Sequence, residues 1–283
     1  MKIDIICPLY NAEAYIEKLD NSIKKQKKVE INRIKYVLTK SKDHTEQILK
    51  AINANYKTIE PQEFSHSLIR EKEAFESSAD ILVFITQDII IEDDMWLYYL
   101  VKDIENGKCE ASYSNQICIN NSIEKYTREL NYPNESSFVN KDDINKLQLR
   151  TFFFSDASSA IKKDIFIKLN GYDNKDLPIS EDMYIAYKLI INDYTIKYCA
   201  DSKVIHSHNF TLKQLYSRYY LTGKFFKQNE YLNCYKVNNS GFDMAKYVLK
   251  RAIQEKNIKV LIQFVPNMLA RFIGMKVGKI TYK

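Results

Sequence analysis

The chain has 283 residues, 45% hydrophobic and 28% charged, which supplies a globular core and excludes wholesale disorder. Six Gly and five Pro exclude collagen-like, linker-rich and turn-dense all-β designs. Lys and Arg outnumber Asp and Glu by 42 to 36, a mild +6 that permits a polyanion, a diphosphate or an acidic membrane face as partner and selects none of them.

Lys2–Cys7 (KIDIIC), bounded by Pro8, is short and β-branched and reads as a buried strand. Asn11–Lys28 then sets Tyr15, Ile16, Leu19 and Ile23 on one helical face. Ile34–Leu38 is a second strand. Asp43 is placed to cap a second helix. Tyr56–Ile59 reads as a third strand, Leu68–Ser78 as a helix, and Ile81–Ile85 (ILVFI) as an apolar strand leading into Thr86-Gln87-Asp88. This alternation predicts an α/β fold with a mostly parallel sheet covered by helices. Beyond Gly107 the pattern predicts a strand over Ala111–Ile119 and a helix over Ser122–Leu130. A polar loop over Asn134–Leu147 and a strand beginning at Phe152–Phe154 follow. Helices are expected over Lys163–Leu169 and Glu181–Ile191, then strands over Thr195–Cys199 and Val204–His206, then a helix over Leu212–Lys227. The tail, Asp243–Lys283, is helical and basic with an expected interruption at Pro266. One α/β domain over residues 1–226 with a helical basic extension over 227–283 fits this pattern best.

Cys7, Cys109, Cys118, Cys199 and Cys234 are scattered without a CxxC spacing, so neither a zinc site nor a disulfide framework is indicated. They read as reduced cytosolic thiols in or near the core. The N-terminal apolar run is broken by Asp4, unlike a signal peptide. No run of about 18 uninterrupted apolar residues is present, so no spanning helix is expected and the protein is expected in the cytoplasm.

Five groups of residues could carry chemistry. Pro8-Leu9-Tyr10-Asn11 follows the first strand, where open parallel sheets bind ligands, although a plain strand-to-helix turn has the same look. Gln87-Asp88 ends an apolar strand at the same edge. A carboxylate there suits Mg²⁺ or Mn²⁺ bridging a diphosphate, or simply ends the strand. Glu181-Asp182 heads a helix that Ser180 could cap. Such acids complement the helix dipole, or one of them accepts a proton from a hydroxyl nucleophile. In His206-Ser207-His208, strand alternation puts both imidazoles on one side, as a metal ligand and its neighbour or as a surface pair. His66 and Arg70 share a helical face, where Arg can grip a phosphate bidentately or the pair simply forms a solvated basic face. The absence of P-loop, GxGxxG, HExxH and GxSxG patterns lowers the case for kinases, dinucleotide dehydrogenases, zinc proteases and serine hydrolases.

Taken in order, IDIICPLYN, FSHSLIREKEAFESSADILVFITQDIIIEDDMWL, SYSNQICINNSIEKYTRELNYP, FFFSDASSAIKKDIFIKLNGYD, ISEDMYIAYKLI and VIHSHNFTLKQLYSRYYLTGKFF resemble the family-2 inverting glycosyltransferases of GT-A fold. The look is closest to their bacterial rhamnosyltransferase branch. The likeness runs from Ile3 to about Phe226. It implies that Pro8, Tyr10 and Asn11 line the nucleotide, with His66 and Arg70 near its diphosphate. Asp88 matches the last acid of the family's metal-binding DxD position, with Gln87 in place of a second acid. Asp182 matches the catalytic base and Glu181 its supporting partner. His208, ahead of His206, matches a late histidine that helps hold the metal. Trp96, Asp156 and Arg218 fall on the acceptor or diphosphate side. The sequence departs from the family at Leu38-Thr39-Lys40-Ser41, which lacks the usual acid, and at Ser67 and Ile69-Arg70-Glu71.

The resemblance implies transfer of a sugar, L-rhamnose from dTDP-rhamnose, to a hydroxyl of a glycan or lipid-linked glycan in surface-polysaccharide synthesis, with a divalent metal. The alternatives are another donor (UDP-GlcNAc, UDP-galactose or a furanose donor) or a non-catalytic sugar-nucleotide-binding protein. A nucleic-acid binder is disfavoured, since no such motif is present and the basic residues concentrate only in the tail. There Lys246, Lys250, Arg251, Lys256, Lys259, Arg271, Lys276, Lys279 and Lys283 alternate with apolar residues. The tail reads either as a peripheral contact with the inner face of an anionic membrane or as helices packed on the catalytic domain.

Overall fold

A computed structural model describes residues 1–236 and 240–281. Lys283, one of the tail's basic residues, lies outside the described residues. The first half follows the alternating pattern: β1 (Lys2–Leu9), α1 (Ile16–Lys24), β2 (Glu30–Thr39), α2 (Thr45–Ala51), β3 (Tyr56–Ile59), α3 (His66–Phe75), β4 (Ile81–Ile85) and α4 (Trp96–Glu105). Next come β5 (Ala111–Ile117), α5 (Ile123–Asn131), β6 (Ser137–Val139), α6 (Ile144–Leu147), β7 (Ser158–Lys162), α7 (Lys163–Lys168), α8 (Glu181–Ile191) and β8 (Ile196–Ile205). A helical extension of α9 (Leu212–Gln228), α10 (Ser240–Gln254) and α11 (Ile258–Thr281) completes the chain.

The eight strands form one sheet in the order β3-β2-β1-β4-β7-β5-β8-β6. β1 pairs in parallel with β2 and β4, β2 with β3, and β5 with β8. β7 runs antiparallel between β4 and β5, and β6 is an antiparallel edge. The apolar run ILVFI is buried on both faces. Leu82 and Phe84 join one core with Phe166, Ile185 and Phe225, while Ile81, Val83 and Ile85 join the other with Leu19, Leu97 and Leu100. Two-sided burial explains why the strand shows no polar alternation. Asp4, which breaks the first apolar run, is buried and satisfied by Asn32, Arg33 and Ser77.

Several boundaries differ from expectation. Phe152–Phe154 is not a strand: Gln148–Phe152 forms a 3-10 turn and β7 starts at Ser158. The polar stretch 134–147 contributes the short edge strand β6. Two expected strands merge into β8, whose irregular pairing opposite Ser114 and Asn115 hides its continuity. α1 starts only at Ile16, because Asn11 takes a left-handed φ of 48°. The five cysteines are free, four buried and Cys234 exposed.

The tail corrects the reading twice. Its break falls between α10 and α11, where Lys256 has φ 52° and the Asn257 side chain accepts from Val260 N–H. Pro266 lies inside α11. α11 is also long and apolar enough to cross a membrane by length and composition, with a mean hydropathy of 1.3 over its most apolar 18 residues. A search for uninterrupted apolar runs misses it, since its few charged residues are spread along the helix.

α11 packs on α9 through glycines. A Cβ at Gly274 or Gly278 would strike the Tyr216 or Tyr220 carbonyl oxygen, and one at Gly223 the Met275 carbonyl oxygen. The two backbones therefore touch. Gly278→Ala should cost about 1–3 kcal/mol, because the obstructing atoms are backbone and cannot swing away. Thermal unfolding measures it, and an unchanged Tm would contradict this interlock.

Candidate active site

Topology assembles the site. Parallel strands β1, β4, β5 and β8 all end at one edge of the sheet, and the antiparallel β7 begins there. Their terminal residues, with α5, α8, α9 and α11, wall a cavity of about 710 Å³. Pro8, Tyr10, His66, Arg70, Gln87, Asp88, Asp156, Glu181, Asp182, His206, His208 and Arg218 all line it.

Two expected residues fall elsewhere. Trp96 is fully buried in the core, its indole N–H donating to Ser114 and Ser158 hydroxyls, so it does not reach the cavity. Its place just after an acidic turn resembles a site position, but its size suits the core. Asn11 is not a lining residue either. Its N–H donates to Ser41 Oγ in the exposed turn.

Ile90 and Ile205 exchange backbone hydrogen bonds of 2.8 and 2.9 Å. This bridge pulls the segment after β4 against the end of β8. Asp88 Oδ1 then lies 3.4 Å from His206 Nε2, and Asp88 Oδ2 lies 3.6 Å from His208 Nδ1. Candidate ligand atoms of all three residues fall within 4.8 Å of one another. The family likeness favours His208; the structure brings both histidines to Asp88, although they follow β8 rather than lie in it.

Residues missed in the sequence orient the triad. Gln116 Nε2 donates to Ser155 Oγ at 2.7 Å, which turns Gln116 Oε1 toward His206 Nδ1 at 2.9 Å. That oxygen only accepts, so the proton of a neutral His206 is assigned to Nδ1 and the Nε2 lone pair faces Asp88. Glu124 accepts from His208 N–H at 3.1 Å and is held by Arg128. A lone pair aimed at a carboxylate calls for a proton or a cation between them. One carboxylate and two imidazoles form a fitting donor set for Mn²⁺, and with more oxygen ligands for Mg²⁺. Burial alone would raise the Asp88 pKa. A proton taken up on His206 Nε2 bonds this carboxylate, and that bond and charge, with His208 and Thr86, outweigh burial and hold it well below the usual range. Burial and the neighbouring His206 push His208 down.

Gln87 has a different task from an acid. Its Oε1 accepts from Tyr10 N–H at 2.7 Å while its Nε2 donates to Tyr10 O at 2.9 Å. An ionised acid could accept but not donate, so it is the amide of Gln87 that clasps the loop after β1.

Across the cavity, α8 presents Glu181 and Asp182 in its first turn. Ser180 occupies the cap position at φ 63° but its side chain caps nothing. Asp182 Oδ1 accepts from Met183 N–H at 2.8 Å instead. Arg70 is buried, and its guanidinium is committed to Glu181 and to the Asp156 carbonyl oxygen. Asp156 accepts from Ser159 Oγ and Tyr172 OH. Burial, then the charges of Glu181 and Asp156, raise Asp182 well above the ordinary carboxylate range, with Arg218 opposing. His66 is lowered by burial, and its Nδ1 is buried without a protein partner.

The tail also reaches the site. Met244 and Arg271 line the cavity, and Arg271 donates to Tyr219 OH at 2.7 Å. Nothing in the sequence marks Arg271 apart from the other basic tail residues.

A family model described as glycosyl transferase family 2 matches residues 4–169, more than half of the chain. The chain belongs to glycosyl transferase family 2. This glycosyltransferase is 28% identical over 291 residues to an O-antigen chain rhamnosyltransferase of Salmonella typhimurium, covering 99% of this chain and 90% of that protein. Its fold is similar to TarS of S. aureus residues 1–349 in complex with UDP-GlcNAc (TM-score 0.56, 14% identity, 99% of this chain and 90% of that one). The chain spans 55% of a longer TarS chain. It is also similar to glucosyl-3-phosphoglycerate synthase of Mycobacterium tuberculosis in complex with glucosyl-3-phosphoglycerate, UDP and Mn²⁺ (TM-score 0.54, 15% identity, 84% of this chain and 82% of that one). These likenesses show a GT-A-like fold.

Proposed function

We propose that this glycosyltransferase moves L-rhamnose from dTDP-rhamnose to a hydroxyl of a glycan or lipid-linked glycan, with inversion, in surface-polysaccharide synthesis. The supporting observation is one cavity walled on one side by Asp182 and on the other by Asp88, His206 and His208. The donor rests on the likeness to O-antigen chain rhamnosyltransferases, which extends over nearly the whole chain.

Asp182 takes the proton of the acceptor hydroxyl as that oxygen attacks the anomeric carbon opposite the nucleoside diphosphate. A single displacement through an oxocarbenium-like state inverts the centre. From dTDP-β-L-rhamnose the product is an α-L-rhamnoside. Arg218 and Arg271 line the cavity and form no ion pair among the described residues, so their charges are available to phosphate oxygens. In this reading Pro8 and Tyr10, which line the cavity, contact the nucleotide, with Gln87 holding that loop. A divalent cation held by Asp88, His206 and His208 would supply positive charge to the departing diphosphate.

A screen of sugar nucleotides with Mn²⁺ or Mg²⁺, read as nucleoside diphosphate release, tests this. Turnover of dTDP-rhamnose alone supports the donor. Turnover of UDP-GlcNAc, UDP-galactose or a furanose donor in its place reassigns it, and binding of none overturns the transferase reading. Calorimetry of Mn²⁺ provides a separate readout. His206→Ala and His208→Ala should each weaken binding roughly tenfold or more. Unchanged affinity in both variants removes the metal site.

A further inference from the structure

α11 has two unlike faces. One carries Gly274 and Gly278 and locks against α9. The other carries Ile258, Ile262, Val265, Leu269, Phe272 and Ile280, each between 52% and 77% exposed. At about 100° per residue these six fall within a third of the helix circumference, opposite the glycines. The helix has 24 residues and is therefore about 36 Å long. An apolar strip of that length is unusual on a free surface.

The charge around the strip says what covers it. α11 contains no acidic residue, while Lys259, Lys276 and Lys279 are exposed on it and Lys246 and Lys250 are exposed on neighbouring α10. None of these five lysines forms an ion pair among the described residues. A second copy would bring lysine toward lysine. A sheet of lipid phosphates would meet every one of them, and the apolar strip between them would reach the acyl boundary. Lys276 shows the fitting posture, its ammonium 5.6 Å from the centre of the Phe272 ring within the strip.

We propose that α11 lies in the plane of an anionic lipid bilayer surface. It lies on the membrane and does not span it, because spanning would strip its glycine face from α9. The placement also brings the cavity to the lipid, since Arg271 of the same helix lines it. The proposal holds whichever donor the enzyme uses.

Flotation of the full chain with vesicles tests it. Vesicles of phosphatidylglycerol and phosphatidylethanolamine should carry the protein upward, and phosphatidylcholine vesicles should carry much less. Leu269→Glu with Phe272→Glu, and separately Lys259→Glu with Lys276→Glu, should each lower the partition coefficient at least about tenfold. Both pairs are exposed and outside the cavity, so Tm and nucleoside diphosphate release without lipid should stay at the parental values. Failure of the parent to float, or equal flotation of both variants, overturns the proposal. So does a dimer by light scattering that the Leu269→Glu and Phe272→Glu pair dissolves, which would make the strip a contact between copies. Protein that resists extraction at high salt and alkaline pH would mean that α11 spans.

Discussion

Replacing Asp182 by Asn is expected to lower kcat by about 10²–10⁴-fold while the protein stays folded. Asn keeps the shape and can still accept from Met183 N–H, but it cannot take a proton. The pH profile should follow the same residue. Burial, Glu181 and Asp156 raise the Asp182 pKa in the fold above its unfolded value. Stability from this group is therefore present at low pH and is lost as pH rises through the raised value. The proposed base role needs the ionised form, so it predicts that kcat/KM falls as pH drops through that value, above the ordinary carboxylate range. Activity and stability thus pull in opposite directions here. At neutral to alkaline pH the Asn variant should melt no lower than the parent, because a disfavoured buried charge is gone. Undiminished turnover in the variant would remove Asp182 as the base. A lower Tm would contradict the strain assigned to it.

Arg70→Met should destabilise the fold by about 3–5 kcal/mol, since it leaves the Glu181 carboxylate buried without its cation. For a chain of this size that is a fall in Tm of about 10 °C. The guanidinium is 1% exposed and also donates to the Asp156 carbonyl oxygen, so no water can replace it cheaply. The double variant Arg70→Met with Glu181→Leu should recover much of the loss, because the pair then leaves together. If the single variant melts like the parent, the Arg70–Glu181 pair does not hold the start of α8 in place. Family likeness assigns Arg70 to the donor diphosphate. The geometry commits its guanidinium to Glu181 and the Asp156 carbonyl oxygen, while Arg218 and Arg271 line the same cavity without an ion pair among the described residues.

The sheet edge was legible because its signals are local. ILVFI is apolar throughout since both of its faces are covered, and Glu181–Ile191 keeps a helical period from first to last residue. Asp88, Asp182 and His208 are recognisable from short motifs at strand and helix ends. Merging of the two expected strands into β8 was not legible, because continuity there depends on pairing with β5 rather than on β8's own residues. Pro266 misled for a related reason. A single proline costs one hydrogen bond and some crowding, and the packing of α11 against α9 absorbs that.

The amino-acid sequence by itself determined the alternating strands and helices of the first half, which residues can carry charge or a proton, and that the tail is basic and helical. Periodicity reports neighbours within about four positions, and those properties need no more. Only the tertiary structure decided who meets whom. It brought His206 beside Asp88 through the Ile90–Ile205 bridge and set Gln116 on an imidazole 90 residues away. It committed Arg70 to Glu181 across 111 residues and sent Trp96 into the core. It also chose which face of α11 locks onto α9 and which is left bare. Each of these is a contact between distant segments, fixed by sheet order and packing, and no local pattern of residues encodes them.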